Sequence, residues 1–215
     1  MLQVETFTFL PQAFAENTFL LHDDSGKCVV IDPGCYTASE QRQLSDYIES
    51  NGLELDKILL THAHLDHIFG LSYLKNKYGV PIYGHEKERF NLERAVEYSG
   101  FFGFSMEPVP LCDVWIDEGD QVSFGNTTLD VLFTPGHSPG HVSFYHPDSH
   151  QIFSGDVIFR DSFGRVDLPG GSLQVLRDTI LKIIFSLPDE TTIYAGHMGL
   201  TTVGREKKSN PMLTY

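Results

Sequence analysis

Thr61-His62-Ala63-His64-Leu65-Asp66-His67 follows directly on the apolar run Ile58-Leu59-Leu60. The run reads as a buried strand over residues 57–61, because adjacent branched apolar residues suit a strand covered on both faces. In extended chain, side chains two apart point the same way, so His62 and His64 can aim at one ion. Asp66 and His67 come where the chain should bend toward a helix, and can aim at a second. Three histidines and one aspartate within six positions form a costly polar cluster beside a buried strand. Exposed loop residues are the bland alternative; zinc-type ligand chemistry fits the pattern better.

Three more strand ends carry residues of the same kind. Gly136-His137-Ser138-Pro139-Gly140-His141 follows a strand ending at Phe133-Thr134. Glycine and proline fix that loop, and His137 is read as a ligand. His141 opens the next strand and is read as a hydrogen-bonding support for a ligand. Ser154-Gly155-Asp156 follows Gln151-Ile152-Phe153. A buried aspartate there needs a partner, and its two oxygens can bridge two cations. Ala195-Gly196-His197 follows Thr192-Ile193-Tyr194. One tetrahedral zinc takes four ligands, whereas seven candidates stand here, enough for two ions about 3.5–4 Å apart. The expected first ion takes His62, His64 and His137. The second takes Asp66, His67 and His197, and Asp156 bridges them.

The rest of the chain frames these positions. It has 215 residues, 41% hydrophobic and 20% charged, as expected of one soluble domain over 1–215. Net charge is 15 − 29 = −14, which argues against nucleic acid and anionic membranes as partners. Cys28, Cys35 and Cys112 form no C-x-x-C pair, so a reducing cytosol fits better than a disulfide framework. No signal peptide and no membrane-spanning run is read at the N-terminus or elsewhere.

Strands are predicted over residues 4–10, 18–22 and 27–32. A helix follows over 37–50, with Thr37 and Glu40 as a capping box. Helices are predicted over 70–78, 86–98 (charged and at the surface) and 173–187, the last with Ser172 as N-cap. Residues 81–83 read as a short strand. Residues 114–116, 121–124 and 128–133 read as antiparallel strands. Residues 142–146 and 151–153 read as a hairpin, and 192–194 as the final strand. Two strand-rich halves, each with helices, suit two facing sheets with helices outside.

His62-Ala63-His64-Leu65-Asp66-His67, with His137, Asp156 and His197 in that order, resembles the metallo-β-lactamase superfamily. The resemblance spans nearly the whole chain and implies an α/β fold, a four-layer αββα sandwich of two mixed sheets with metals at one edge. Within that superfamily the chain looks like the glyoxalase II group. Residues 134–141 are similar to that group's second motif, and residues 162–171, 201–206 and Asn210-Pro211 look like short bacterial members. True β-lactamases usually lack the aspartate corresponding to Asp66. Full-length glyoxalase II carries a C-terminal helical extension with basic residues for glutathione, and this chain ends 18 residues after His197. A glutathione clamp of that type is therefore not expected.

The resemblance implies hydrolysis of a small thioester, such as a hydroxyacylglutathione, by a hydroxide between two divalent ions. Zinc is expected, with iron or manganese as alternatives, in a monomer or homodimer. Asp66 and Asp156 are the expected catalytic acids, Asp66 also orienting the hydroxide. Asp32, ending Val29-Val30-Ile31, is read as a support for the metal loop or as purely structural. Arg160 and Arg165 are read as holding a substrate carboxylate, against an internal Arg165–Asp167 ion pair. Phe101, Phe102, Phe104 and Met106 line a cleft or dimer face, or simply pack under a loop. The rival reading is an iron-dependent persulfide dioxygenase with one iron on His62, His137 and Asp156. The dioxygenases share the first motif and Gly164-Arg165-x-Asp167, and the histidine at 141 favours the hydrolases.

Overall fold

A computed structural model describes residues 1–215. It divides into two compact units: Met1–Trp115 with Ser123–Thr127, and Ile116–Val122 with Thr128–Tyr215.

The first unit is built on the sheet β1 (Gln3–Phe9), β2 (Glu16–His22), β3 (Lys27–Ile31), β4 (Glu54–Leu59), β5 (Ile82–Gly84) and β6 (Val114–Trp115), in that spatial order. The hairpins β1–β2–β3 are antiparallel, whereas β3 through β6 run parallel. Parallel neighbours need crossovers, and helices supply them: α1 (Ala38–Ser50), α2 (Leu65–Ile68), α3 (Leu71–Tyr78), α4 (Arg89–Glu93) and α5 (Ala95–Phe101). The register sets Ile31 beside Leu59, and Leu59 beside Tyr83. The loops leaving β3, β4 and β5 therefore emerge side by side at the carboxyl ends of the strands, where open parallel sheets place their ligands.

Burial explains the strands. Val29, Val30 and Ile31 are fully buried, as are Ile58 and Leu59, so the carboxyl-terminal halves of both strands are covered on both faces. Leu44 and Ile48 of α1 pack with Leu71 and Leu74 of α3 over Val30 and Ile58. Each such side chain contributes about 1.5–3 kcal/mol by leaving water. Thr37 and Glu40 form the capping box at the start of α1, and Gly79, at φ 68, ends α3. Cys28, Cys35 and Cys112 are buried thiols of this unit.

The second unit is built on β7 (Gln121–Phe124), β8 (Thr127–Phe133), β9 (Val142–His146), β10 (Gln151–Gly155), β13 (Thr192–Ala195) and β14 (Thr201–Thr202). Their spatial order is β14-β13-β10-β9-β8-β7. β11 (Ile158–Phe159) and β12 (Ser162–Phe163) form a small separate hairpin; the helices are α6 (Leu173–Lys182) and α7 (Val203–Ser209). β8 and β10 are both antiparallel to β9, and β13 is parallel to β10. The ends of β8, β10 and β13 thus share one edge of the sheet. Leu176, Ile180 and Ile184 pack with Ile152 and Ile193 in the core of this unit.

Several expectations are corrected. Residues 114–116 do not join the antiparallel strands; β6 lies parallel to β5. Asp113 dictates this, because its N–H donates to Ile82 O at 2.9 Å and its carboxylate accepts from Ile82 N at 2.8 Å. The single helix over 86–98 is a 3-10 turn, Glu86–Glu88, then α4 and α5 broken at Arg94. It is not wholly at the surface either: Glu88 and Asn91 are buried. The helix over 173–187 ends at Lys182, with a 3-10 turn over Ile184–Ser186. Pro188 forces Leu187 into extended backbone, so the helix cannot run on. β13 is not the last strand, since β14 and α7 follow. No helix is long and apolar enough to cross a membrane.

Two leucines one turn apart on α6 test this packing. Leu176→Ala should destabilise by about 2–5 kcal/mol, the usual cost of a buried leucine. Leu173→Ala, at a position 36% exposed, should stay near 0.5 kcal/mol. Urea unfolding of the two variants measures both.

Candidate metal centre

In the first unit the site is organised by Asp32. It sits just past β3 at φ 51, a left-handed conformation unusual for a residue with a side chain. The Thr18 hydroxyl holds it there by donating to Asp32 O at 2.7 Å and accepting from Gly34 N at 2.9 Å. The Asp32 carboxylate then accepts from Thr61 N at 2.7 Å and Thr61 Oγ1 at 2.6 Å, and lies 3.0 Å from His67 Nδ1.

Proton accounting fixes the imidazoles. A carboxylate only accepts, so His67 Nδ1 carries the proton and Nε2 presents its lone pair. Thr61 has one hydroxyl proton, and Asp32 receives it. His62 Nδ1, 3.0 Å from Thr61 Oγ1, must therefore donate, and His62 Nε2 also presents a lone pair. The His62 ring centroid is 4.7 Å from that of His64 and 4.1 Å from that of His67. His64 stands at the first position before α2, and within that helix Asp66 Oδ2 comes to 3.8 Å from His67 Nε2. Asp32, His62 and His67 also have donor atoms within 4.8 Å of one another. Asp32 is the weakest ligand candidate of the three, because its oxygens already take up three hydrogen bonds.

In the second unit the same accounting applies. His137 Nδ1 faces Arg165 O at 2.7 Å, an acceptor only, so the proton is again on Nδ1. Asp156 follows a bulge: the β10–β13 register shifts between Phe153 and Gly155, and Gly155 takes φ 48. Bulges re-aim the next side chain, and here that side chain is Asp156. Its Oδ2 lies 3.5 Å from His137 Nε2 and 3.3 Å from His197 Nε2. Gly164 must be glycine, because a Cβ there would stand 1.9 Å from Asp156 O.

His141 differs from the other histidines. Its Nε2 accepts from Asp156 N at 3.0 Å, so Nδ1 donates to Thr134 Oγ1 at 3.0 Å, and Thr134 Oγ1 also shares a hydrogen bond of 2.9 Å with Ser143 Oγ. Both ring nitrogens of His141 thus serve to hold the Asp156 backbone. Arg165 pairs with Asp167 through two contacts of 2.7 Å, and the guanidinium pulls the Asp167 carboxyl down to about 2. A substrate anion at Arg165 would have to displace Asp167. Arg160 is exposed. Phe104 packs against Phe14, Tyr36 and Phe69, and Met106 against the same core, whereas Phe101 is 86% exposed.

The separations within each unit suit ligands of a common ion better than direct bonds. Charge-assisted hydrogen bonds run at about 2.7–2.9 Å. Two ligands each about 2.1 Å from one tetrahedral zinc stand about 3.4 Å apart. The Asp156–His137, Asp156–His197 and Asp66–His67 pairs lie at 3.5, 3.3 and 3.8 Å. Nitrogen and carboxylate donors of this kind suit zinc, iron and manganese.

Sequence reasoning passed over four residues: Thr61, Thr134, Glu16 and Glu88. Thr61 and Thr134 stand at strand ends beside ligand motifs, and that placement was their signal. Glu16 lies in β2 with 1% exposure. Burial, then the charges of Asp32 and Asp66, push its carboxyl well above the usual range, while His67 pulls the other way. The Thr18 hydroxyl, 3.3 and 3.0 Å from the two Glu16 oxygens, also pulls the carboxyl down, but burial outweighs it.

The profile of the Metallo-beta-lactamase superfamily matches residues 11–197. Hydroxyacylglutathione hydrolase GloC of Haemophilus influenzae is 38% identical over 203 residues, 94% of each chain. Among solved structures, the BLEG-1 B3 metallo-beta-lactamase superposes with a TM-score of 0.88 at 35% identity, over 99% of this chain and 100% of that one. TTHA1623, solved in a di-iron-bound form, superposes at 0.86 with 39% identity, over 96% of this chain and 98% of that one. The fold class expected from the sequence is the one observed.

Two outcomes follow from the proton accounting. Thr61→Val frees His62 Nδ1 from its acceptor and should weaken metal binding about 10–100-fold, measured by chelator competition, while Thr61→Ser restores it. Glu16 is the second case. Its folded-state pKa is raised, so the chelated protein should lose stability as pH climbs above the ordinary glutamate range. The thermal midpoint of Glu16→Gln should therefore gain on that of the parent chain as pH climbs from 5 to 8; a constant gap would contradict a raised Glu16.

Proposed function

The chain belongs to the metallo-beta-lactamase superfamily, whose members are metal-dependent hydrolases, and on that premise we propose that it hydrolyses a small thioester such as a hydroxyacylglutathione. On this reading the chain is one hydrolase domain over 1–215 that takes two divalent ions, zinc first among them. His62, His64 and His137 would hold the first ion, Asp66, His67 and His197 the second, with Asp156 as the carboxylate available to both. When bound, such ions bring a water's pKa to about 7, polarise the acyl carbonyl and accept the leaving thiolate.

The chain's own residues prepare that chemistry. Asp32 and the Arg165 carbonyl hold protons on Nδ1 of His67 and His137, and Thr61 does so for His62, so that each Nε2 keeps its lone pair for an ion. His141 fixes the backbone of Asp156 and hence its carboxylate. Asp66 has a second role, orienting the attacking water. Arg160 is the more available of the two arginines for a substrate carboxylate, since Arg165 already pairs with Asp167. We place the protein in the cytosol, where its buried thiols would stay reduced, as a monomer or homodimer.

The observation that carries this reading is the commitment of the Nδ1 protons of His62, His67 and His137 to fixed acceptors. Metal analysis of the purified chain, together with an S-lactoylglutathione hydrolysis assay, tests it. Two ions per chain and measurable hydrolysis are expected, and Asp156→Ala should lower kcat/KM by at least about a hundredfold. Two ions without hydrolysis would discard the thioester but keep the centre. One iron with oxygen uptake would replace the reading with persulfide oxidation.

A further inference from the structure

Ala63 stands between His62 and His64, and its N–H has no strand to join: β4 ends at Leu59 and α2 starts at Leu65. The N–H is nevertheless satisfied. Glu88 Oε2 accepts it at 2.9 Å, and the same oxygen accepts from Asn91 Nδ2 at 2.8 Å. Glu88 is 1% exposed and Asn91 5%, so this carboxylate is buried against the loop. It arrives from outside the ligand motif, on the 3-10 turn after β5, because β5 lies parallel beside β4. Its neighbours take other partners: Arg89 pairs with Glu86 at 2.8 Å and stacks 4.8 Å from the Trp115 ring. Glu88 alone of this acidic run turns inward.

A buried carboxylate is a costly way to satisfy one amide unless the position of that amide matters. Here the amide lies between the two residues that carry the imidazoles, His62 and His64. We propose that Glu88 is a positioning residue for the metal centre, its carboxylate oxygen fixing the Ala63 N–H and thereby the aim of His62 and His64. The inference rests on the reading of those histidines as metal ligands. Reach, rather than charge, carries the role. Glutamine has the same length and an amide oxygen that accepts both N–H groups. Aspartate keeps the charge but is one methylene short.

The full chain and its Glu88→Gln, Glu88→Asp and Glu88→Ala variants are compared with zinc and cobalt(II) as probes. Zinc affinity is read by competition with a chromophoric chelator, and coordination by the cobalt visible spectrum. Glu88→Gln should keep the parent affinity and spectrum. Glu88→Asp and Glu88→Ala should lose about 10–100-fold in affinity, with a changed cobalt spectrum. Parent affinity in Glu88→Asp, or a Glu88→Gln as weak as Glu88→Ala, overturns the proposal. So does a loss confined to the thermal midpoint of the chelated protein, which would mark a purely structural role. Should Glu88→Ala fail to fold, the contrast between glutamine and aspartate still decides. A parent chain that takes up no metal would overturn the centre and this inference together. A parent chain with metal but no thioesterase activity would leave the inference standing.

Discussion

Hydrogen bonds from Thr61 N, Thr61 Oγ1 and His67 Nδ1 all end on the Asp32 carboxylate, and the histidine loop of the first unit takes its form from them. They join the end of β3 to the loop after β4 and state which nitrogen of each histidine carries a proton. The backbone of Asp32 sits in a left-handed conformation to make this possible. Strain of that kind persists only when its surroundings over-determine it. The Thr18 hydroxyl, gripping the turn on both sides of Pro33, does so.

The second unit repeats the device with a different object. Thr134 stands to His141 as Thr61 stands to His62: a threonine hydroxyl at a strand end, 3.0 Å from a histidine Nδ1. In the first unit the outcome is a nitrogen with a lone pair to offer an ion. In the second the nitrogen is spent on the backbone of Asp156. Identical local chemistry thus yields a donor in one place and a brace in the other, and what differs is the group lying opposite Nε2.

The strand-end motifs were legible because each follows an apolar run, and a cluster of histidine and aspartate beside buried backbone has few structural uses. The capping box of α1 and the N-cap of α6 were legible for a similar reason, since both depend on neighbours in sequence. What escaped depended on partners far along the chain. Val114 and Trp115 look like any short strand, and only Asp113 bonding to Ile82 assigns them to β5. Glu88 looked like one charge among several on a surface helix. Its partner lies 25 residues away, on a backbone atom that no side-chain pattern reveals. Glu16 was hidden in the same way, inside a strand buried from Glu16 through Leu21.

The buried thiols carry a consequence for metal selectivity. Burial, followed by nearby acidic side chains, pushes Cys28 and Cys112 up to about 12, and raises Cys35 as well. The thiolate, not the thiol, is what captures soft cations and reacts with electrophiles. At neutral pH these three sulfurs therefore stay protonated and compete poorly for cadmium, mercury or copper(I). The unit that carries His62, His64 and His67 can thus also carry sulfur without offering thiolates to soft cations.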